Sequence, residues 1–257
     1  MMIRVIGVCG MTIYGIIFLV TLYQLAVHLI PYYEPFYTSR KIYHLLLSIY
    51  CLLQVISFLG FCQGHQSYTK FGYICHIFGI LAENIAISAI NLLWAKIVIP
   101  KFKIYILPIL CLGVLIYFGY IVFLVEQMMS SSESFSEWAN NSESFALFQF
   151  LEPCVLGING ILFLLLGLGI WFRLKSTPSW ETFEKKTKNF VHLRLFATIA
   201  LCCASIFFRV LFQVVLTMTH QNHLTYDLKW IFTTWIPNLI PALIFLYALV
   251  YFVFLNS

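Results

Sequence analysis

Charge is what this 257-residue chain has least of. Asp, Glu, Lys and Arg together make up 10% of it, against roughly a quarter in a soluble domain. That scarcity excludes a soluble globular enzyme and a solvated disordered chain. Glycine (13) and proline (8) are too few for a collagen-like fibre. Eight cysteines, most of them in apolar runs, are too dilute for a disulfide scaffold. The chain also lacks a glycine-rich phosphate loop, zinc-finger spacing, a heptad array and an internal repeat. No nucleic-acid partner is expected, because the net charge of +5 reads better as a topology signal.

What is present is apolar. Hydrophobic residues make up 61% of the chain and the mean hydropathy is +0.91. A helix needs about 20 apolar residues to cross a bilayer, at about 1.5 Å each. Seven stretches qualify, near Ile6–His28, Ile42–Phe61, Gly72–Ala95, Ile104–Val125, Phe148–Phe172, Leu193–Met218 and Trp230–Leu255. They are continuous, unlike the alternating segments of about ten residues in membrane strands. The expected fold is all-α: one seven-helix transmembrane domain over residues 1–257, with the lipid bilayer as its main partner. The first run is expected to be a retained helix, since it is long for a signal peptide and no small-residue cleavage site follows it.

The basic residues orient this bundle. The loops after the first, third and fifth spans hold Arg40, Lys41, Lys96, Lys101, Lys103, Arg173, Lys175, Lys185, Lys186 and Lys188. The opposite side holds only Arg4, Lys70 and Lys229. Positive-inside bias then predicts an outside or lumenal N-terminus and a cytosolic C-terminus. The loop at 126–147 agrees, with four glutamates, no Lys or Arg, and the sequon Asn140-Asn141-Ser142. Asn140 is therefore a candidate glycosylation site.

Two charges stand out well inside the spans, Glu83 in the third and Arg209 in the sixth. Both are costly in lipid and should face the bundle interior. Glu83 is about 11 residues from the outer end of its span and Arg209 about 9 from the outer end of its own, a difference of about 3 Å in depth. An ion pair between them is expected. Polar stripes surround the pair: Asn84, Ser88 and Asn91 share one face of the third span, and Cys202, Ser205, Arg209 and Gln213 one face of the sixth. Such stripes read first as glue between helices, and second as a central ligand cavity. In the seventh span, Pro237 and Pro241 each remove an amide donor, so they mark a bend or hinge beside Asn238.

No catalytic or metal-binding constellation emerges. The seven histidines are scattered and no His-Glu-x-x-His occurs. No cofactor is expected, and no Lys in the middle of the seventh span offers a Schiff base. For Cys62 and Cys75, a lumenal disulfide and free buried thiols are both open readings. The third span closes on Trp94-Ala95-Lys96 and not on the acid-Arg-aromatic triplet of many receptors.

Several short marks in order resemble one family. They are Arg40-Lys41-Ile42-Tyr43-His44-Leu45-Leu46 opening the second span, Leu93-Trp94-Ala95 closing the third, Leu166-Gly167-Leu168-Gly169 in the fifth, Phe208-Arg209 in the sixth and Ile240-Pro241-Ala242-Leu243 in the seventh. Together, from about Gln24 to Tyr251, they resemble the plant tobamovirus multiplication proteins, whose relatives include orphan seven-helix proteins of animal lysosomes. The chain departs from that pattern in having Lys96 after Trp-Ala and Asn238 where the family tends to have an acid. Glu83 would then supply the missing partner of Arg209.

The resemblance implies a non-enzymatic multi-pass scaffold or regulator of a vacuolar or lysosomal membrane that recruits cytosolic proteins, small GTPases among them. The candidate partner surface is Lys101, Lys103, Arg173, Lys175, Lys185, Lys186 and Lys188. A receptor-like protein at the plasma membrane is the alternative, with a ligand among Glu83, Asn84, Asn91, Arg209 and Asn238. A small-solute transporter using the same polar core is another.

Overall fold

A computed structural model describes residues 2–29, 39–63, 69–99, 102–176, 185–218, 239, 240 and 243. Among them are seven helices and no strand. We number them α1 (Met2–Leu29), α2 (Ser39–Cys62), α3 (Lys70–Val98), α4 (Phe102–Ser130), α5 (Phe135–Asn141), α6 (Glu143–Ser176) and α7 (Lys185–Met218). All but α5 are long and apolar enough to cross a membrane. The expected seventh crossing at 230–255, with Pro237, Asn238 and Pro241, lies outside the described residues apart from Leu239, Ile240 and Leu243.

The surface shows how such a chain is solvated. Leu112, Leu115 and Ile116 of α4 are 59–65% exposed, as is Leu19 of α1 at 65%. In water these stripes would drive aggregation, whereas against lipid tails they cost nothing. Helix association in lipid therefore rests on close packing and polar contacts. The helix at the centre is α3. In its most apolar window 67% of the residues are buried, against 22% in α4. It packs on α2, α4 and α6.

Glycines set the closest approaches. A Cβ at Gly7 would stand 2.7 Å from the backbone nitrogen of Cys62, and one at Gly10 would meet the Phe58 ring at 2.5 Å. On α6, a Cβ at Gly160 would strike Ile206 at 2.7 Å, and one at Gly167 would crowd Ile199 and Trp94. The Leu93–Ala95 and Leu166–Gly169 stretches thus lie against each other. The Trp94 ring sits 4.4 Å from that of Phe163, and Ala95 packs on Leu166.

The region expected as a loop at 126–147 is mostly helical. α4 continues to Ser130 and α6 begins at Glu143, well before Phe148. Between them α5 starts with a capping box, in which Ser134 and Glu137 satisfy each other's backbone amides. Its apolar residues fall at i, i+3 and i+4: Phe135, Trp138 and Ala139 are all buried. Phe135 packs on Tyr73 at 4.5 Å and Trp138 on Phe145 at 5.7 Å. The Lys70 ammonium donates to the Ser131 carbonyl beside this cap. The hydrogen bonds from Ser134 hold the Glu137 carboxyl below the usual carboxylate range.

Candidate functional site

Among the described residues, Arg209 is the largest fully buried side chain, at 1% exposure. α7 carries it into the space between α3 and α6. Its Nη1 donates to Glu83 Oε2 on α3 at 3.1 Å, and its Nη2 donates to Glu152 Oε1 on α6 at 2.6 Å. Gln213, one turn further along α7, donates through Nε2 to the same Glu152 oxygen at 2.9 Å. One guanidinium therefore ties three helices through two carboxylates.

Glu152 corrects the two-charge picture drawn from the sequence. It lies four residues inside the expected fifth span and was not among the residues singled out there. In the structure α6 begins at Glu143, so Glu152 stands more than two turns inside the helix and is 7% exposed. The sequence signal was available: Glu152 is the lone acid of a long apolar run and sits directly before Pro153. Both Pro153 and Pro108 lie inside continuing helices.

A second polar layer lies further along α3 and α6. Ser88 donates to Asn159 Oδ1 at 3.0 Å, and Asn91 Nδ2 donates to the Asn159 carbonyl at 3.1 Å. Asn159 was not among the expected residues. It sits two turns after Glu152 and so on the same face of α6. Asn84 turns back on its own helix and donates to the Ile80 carbonyl at 3.1 Å. Ser205 is buried on α7. The α3 stripe is thus divided, with Glu83 joined to α7, Ser88 and Asn91 joined to α6, and Asn84 bonded locally.

The α2–α3 contact has its own polar pair, also unforeseen. His76 Nδ1 and Gln54 Oε1 are 3.1 Å apart. Gly79 makes room for the Gln54 amide, which would lie 2.8 Å from a Cβ there.

The candidate partner surface is described only in part. Arg173 and Lys175 are exposed at the end of α6. Arg173 donates to the Ile97 carbonyl at the end of α3, and the Lys175 ammonium lies 4.1 Å over the Trp171 ring. Lys103, Lys185, Lys186 and Lys188 fall within helices whose side chains at those positions are outside the described set, as is Lys101 altogether. Lys41, expected in a loop, is instead in the first turn of α2 and only 4% exposed. Asn140 is exposed on α5. Cys62 and Cys75 are both free thiols. Among the described residues no group of His, Cys, Asp or Glu is placed to hold a metal ion.

Comparison with protein-family models, curated proteins and solved structures finds no match.

Proposed function

We propose that this chain is a non-enzymatic, multi-pass endomembrane scaffold or regulator of the tobamovirus-multiplication-protein type. In this reading the N-terminus and α5 face the lumen, a seventh crossing follows over 230–255, and the C-terminus is cytosolic. The exposed Arg173 and Lys175 then belong to the cytosolic face, which recruits partners such as small GTPases to a vacuolar or lysosomal membrane. Anionic lipid attracts the same face, by about 1 kcal/mol per basic residue.

The observation that carries this reading is how the buried polar groups are used. Arg209 is engaged by Glu83, Glu152 bonds Arg209 and Gln213, and Asn159 bonds Ser88 and Asn91. Helix-to-helix links of this kind pin a bundle, which favours recognition at its ends over ligand capture in its middle. The receptor and transporter alternatives draw on the opposite feature, the buried Asn84 Oδ1 and Asn91 Oδ1 atoms, which have no partner.

Proximity labelling from a C-terminal tag, with membrane fractionation, tests the proposal. Vacuolar or lysosomal fractions enriched in small GTPases or trafficking proteins are expected, and that labelling should fall when Arg173, Lys175, Lys185, Lys186 and Lys188 become Gln. Plasma-membrane fractions carrying heterotrimeric G proteins would sink the scaffold reading. Loss of a glycan-dependent gel shift in Asn140→Gln would fix α5 on the lumenal side.

A further inference from the structure

The charges at the centre of the bundle do not balance. Glu83, Glu152 and Arg209 are 6%, 7% and 1% exposed, and both acids touch the one guanidinium. With both carboxylates ionised, the cluster carries one excess negative charge at membrane depth. A buried carboxylate without its own counter-charge sheds that cost by taking up a proton. Among the described residues, the side chains facing the cluster offer little compensation. α4 brings Tyr117, α1 Tyr14, and α2 Tyr50 with Tyr43 and Cys51. α7 adds Ser205, Cys202 and Gln213. All of these are neutral groups. His76 stands about two turns from Glu83 along α3, and its ring nitrogen is hydrogen-bonded to Gln54.

The geometry distinguishes the two acids. Glu152 Oε1 receives two donors, the nearer at 2.6 Å, as an ionised carboxylate does. Glu83 receives a single, longer bond from Arg209 at 3.1 Å. A second observation points to a small polar ligand in the same place. Arg209 Nε and the Tyr117 hydroxyl are both buried there without a hydrogen-bond partner. Tyr117 is within electrostatic reach of both carboxylates, and its ring stacks on Phe148, one turn before Glu152. Buried polar atoms left in this way are usually served by an internal water, which would also be the route by which a proton arrives.

We infer that the Glu83–Arg209–Glu152 cluster is a proton-binding site that holds one proton at neutral pH, on Glu83, while Glu152 keeps the shorter bond to Arg209. The site takes a proton from water and returns it to water, with no other bond made or broken. This inference concerns the core alone and does not depend on the scaffold reading.

The test is infrared spectroscopy of the full chain in nanodiscs at pH 7. A protonated carboxylic acid has a carbonyl stretch that an ionised carboxylate lacks and that shifts in D2O. The wild type is expected to show one such acid. Glu83→Gln and Glu152→Gln should each abolish the band, because either change leaves one carboxylate for one guanidinium. His76→Asn should leave it in place. Arg209→Gln, if it folds, should roughly double it. A wild type with no protonated acid at pH 7 overturns the inference, even if sodium then stabilises the protein. A band that survives either glutamine variant overturns it too. The two glutamine variants are nearly isosteric, so the test stands even if the arginine variant fails to fold.

Discussion

The α1–α2 pair and the α3–α6–α7 group are joined by opposite chemistry. Between α1 and α2 the contact is steric and aromatic. Gly7 and Gly10 let the backbone and the Phe58 ring come near, Tyr14 stacks on Phe58 at 5.8 Å, and the Tyr14 and Tyr50 hydroxyls meet at 3.1 Å. Ser48 adds one hydroxyl bond to Thr21 at 3.0 Å. Between α3, α6 and α7 the glycines recur, but the contact is centred on an ion cluster. The first interface tolerates partial failure, because each contact is small and independent. The second does not, because a buried charge that loses its partner is worse than no charge at all.

That contrast is tested most severely at Arg209. Arg209→Gln leaves two buried acids without their counter-charge, and breaking a buried pair typically costs about 3–5 kcal/mol. Thermal unfolding by size-exclusion chromatography should show most of the protein lost from the monodisperse peak. Glu152→Gln should cost less, since Glu83 can ionise and take over Arg209. Glu83→Gln should cost least of the three, because glutamine replaces an acid already neutral. A Glu83→Gln variant as unstable as Arg209→Gln would show that both carboxylates are needed as charges.

The steric half is tested at its glycines. Gly10→Leu pushes a side chain into Phe58, and overpacking of this kind costs about 1–3 kcal/mol. Gly113→Ala and Gly119→Ala on α4 meet nothing within 4 Å. They should be neutral, or stabilise by up to about 1 kcal/mol through helix propensity. If the two regions are independent, Gly10→Leu and Glu83→Gln should add within about 0.5 kcal/mol in the double variant. Strong coupling would mean that α1 and α2 help to shape the ion cluster.

How far these regions were legible in the sequence follows the same divide. The depth of Glu83 and Arg209 brings them together on paper, because two rare charges at one level in lipid have few other solutions. Glu152 escaped because an acid near an apolar boundary reads as interfacial until the helix start is known. Asn159 escaped because one Asn in a Leu-rich run carries no periodic signal. The close α1–α2 approach was invisible for a related reason: Gly7 and Gly10 have a meaning only once Phe58 and Cys62 face them. α5 was hidden by composition, since Ser, Glu and Asn dominate 130–143 and mask the i, i+3, i+4 spacing of Phe135, Trp138 and Ala139.

A smaller effect is expected in the second polar layer. Ser88→Ala removes one bond to Asn159, and bonds between helices in lipid average about 0.6 kcal/mol in double-mutant cycles. The Ser88→Ala, Asn159→Ala cycle should therefore give a coupling well below that of the Arg209 cluster. A coupling of several kcal/mol would mean that this layer shares the cooperativity of the ion cluster.

The smallest effect lies in the α5 cap. Glu137 is exposed, and its carboxyl is held below the usual range by the hydrogen bonds from Ser134. A depressed value in the folded state means that the ionised form is favoured by folding. The contribution of the capping box is therefore complete above the carboxyl value of the unfolded chain and fades as pH falls through the folded one. Amide exchange in α5 should then quicken on acidification, and Glu137→Gln should remove that dependence while leaving α3, α6 and α7 protected. An acid response in α5 that persists in Glu137→Gln would place its origin elsewhere. If the same experiment showed acid sensitivity spreading from the Arg209 cluster, the two ends of the contrast would be linked through Tyr73, whose ring touches Phe135 of the cap while its helix carries Glu83 nearly three turns further on.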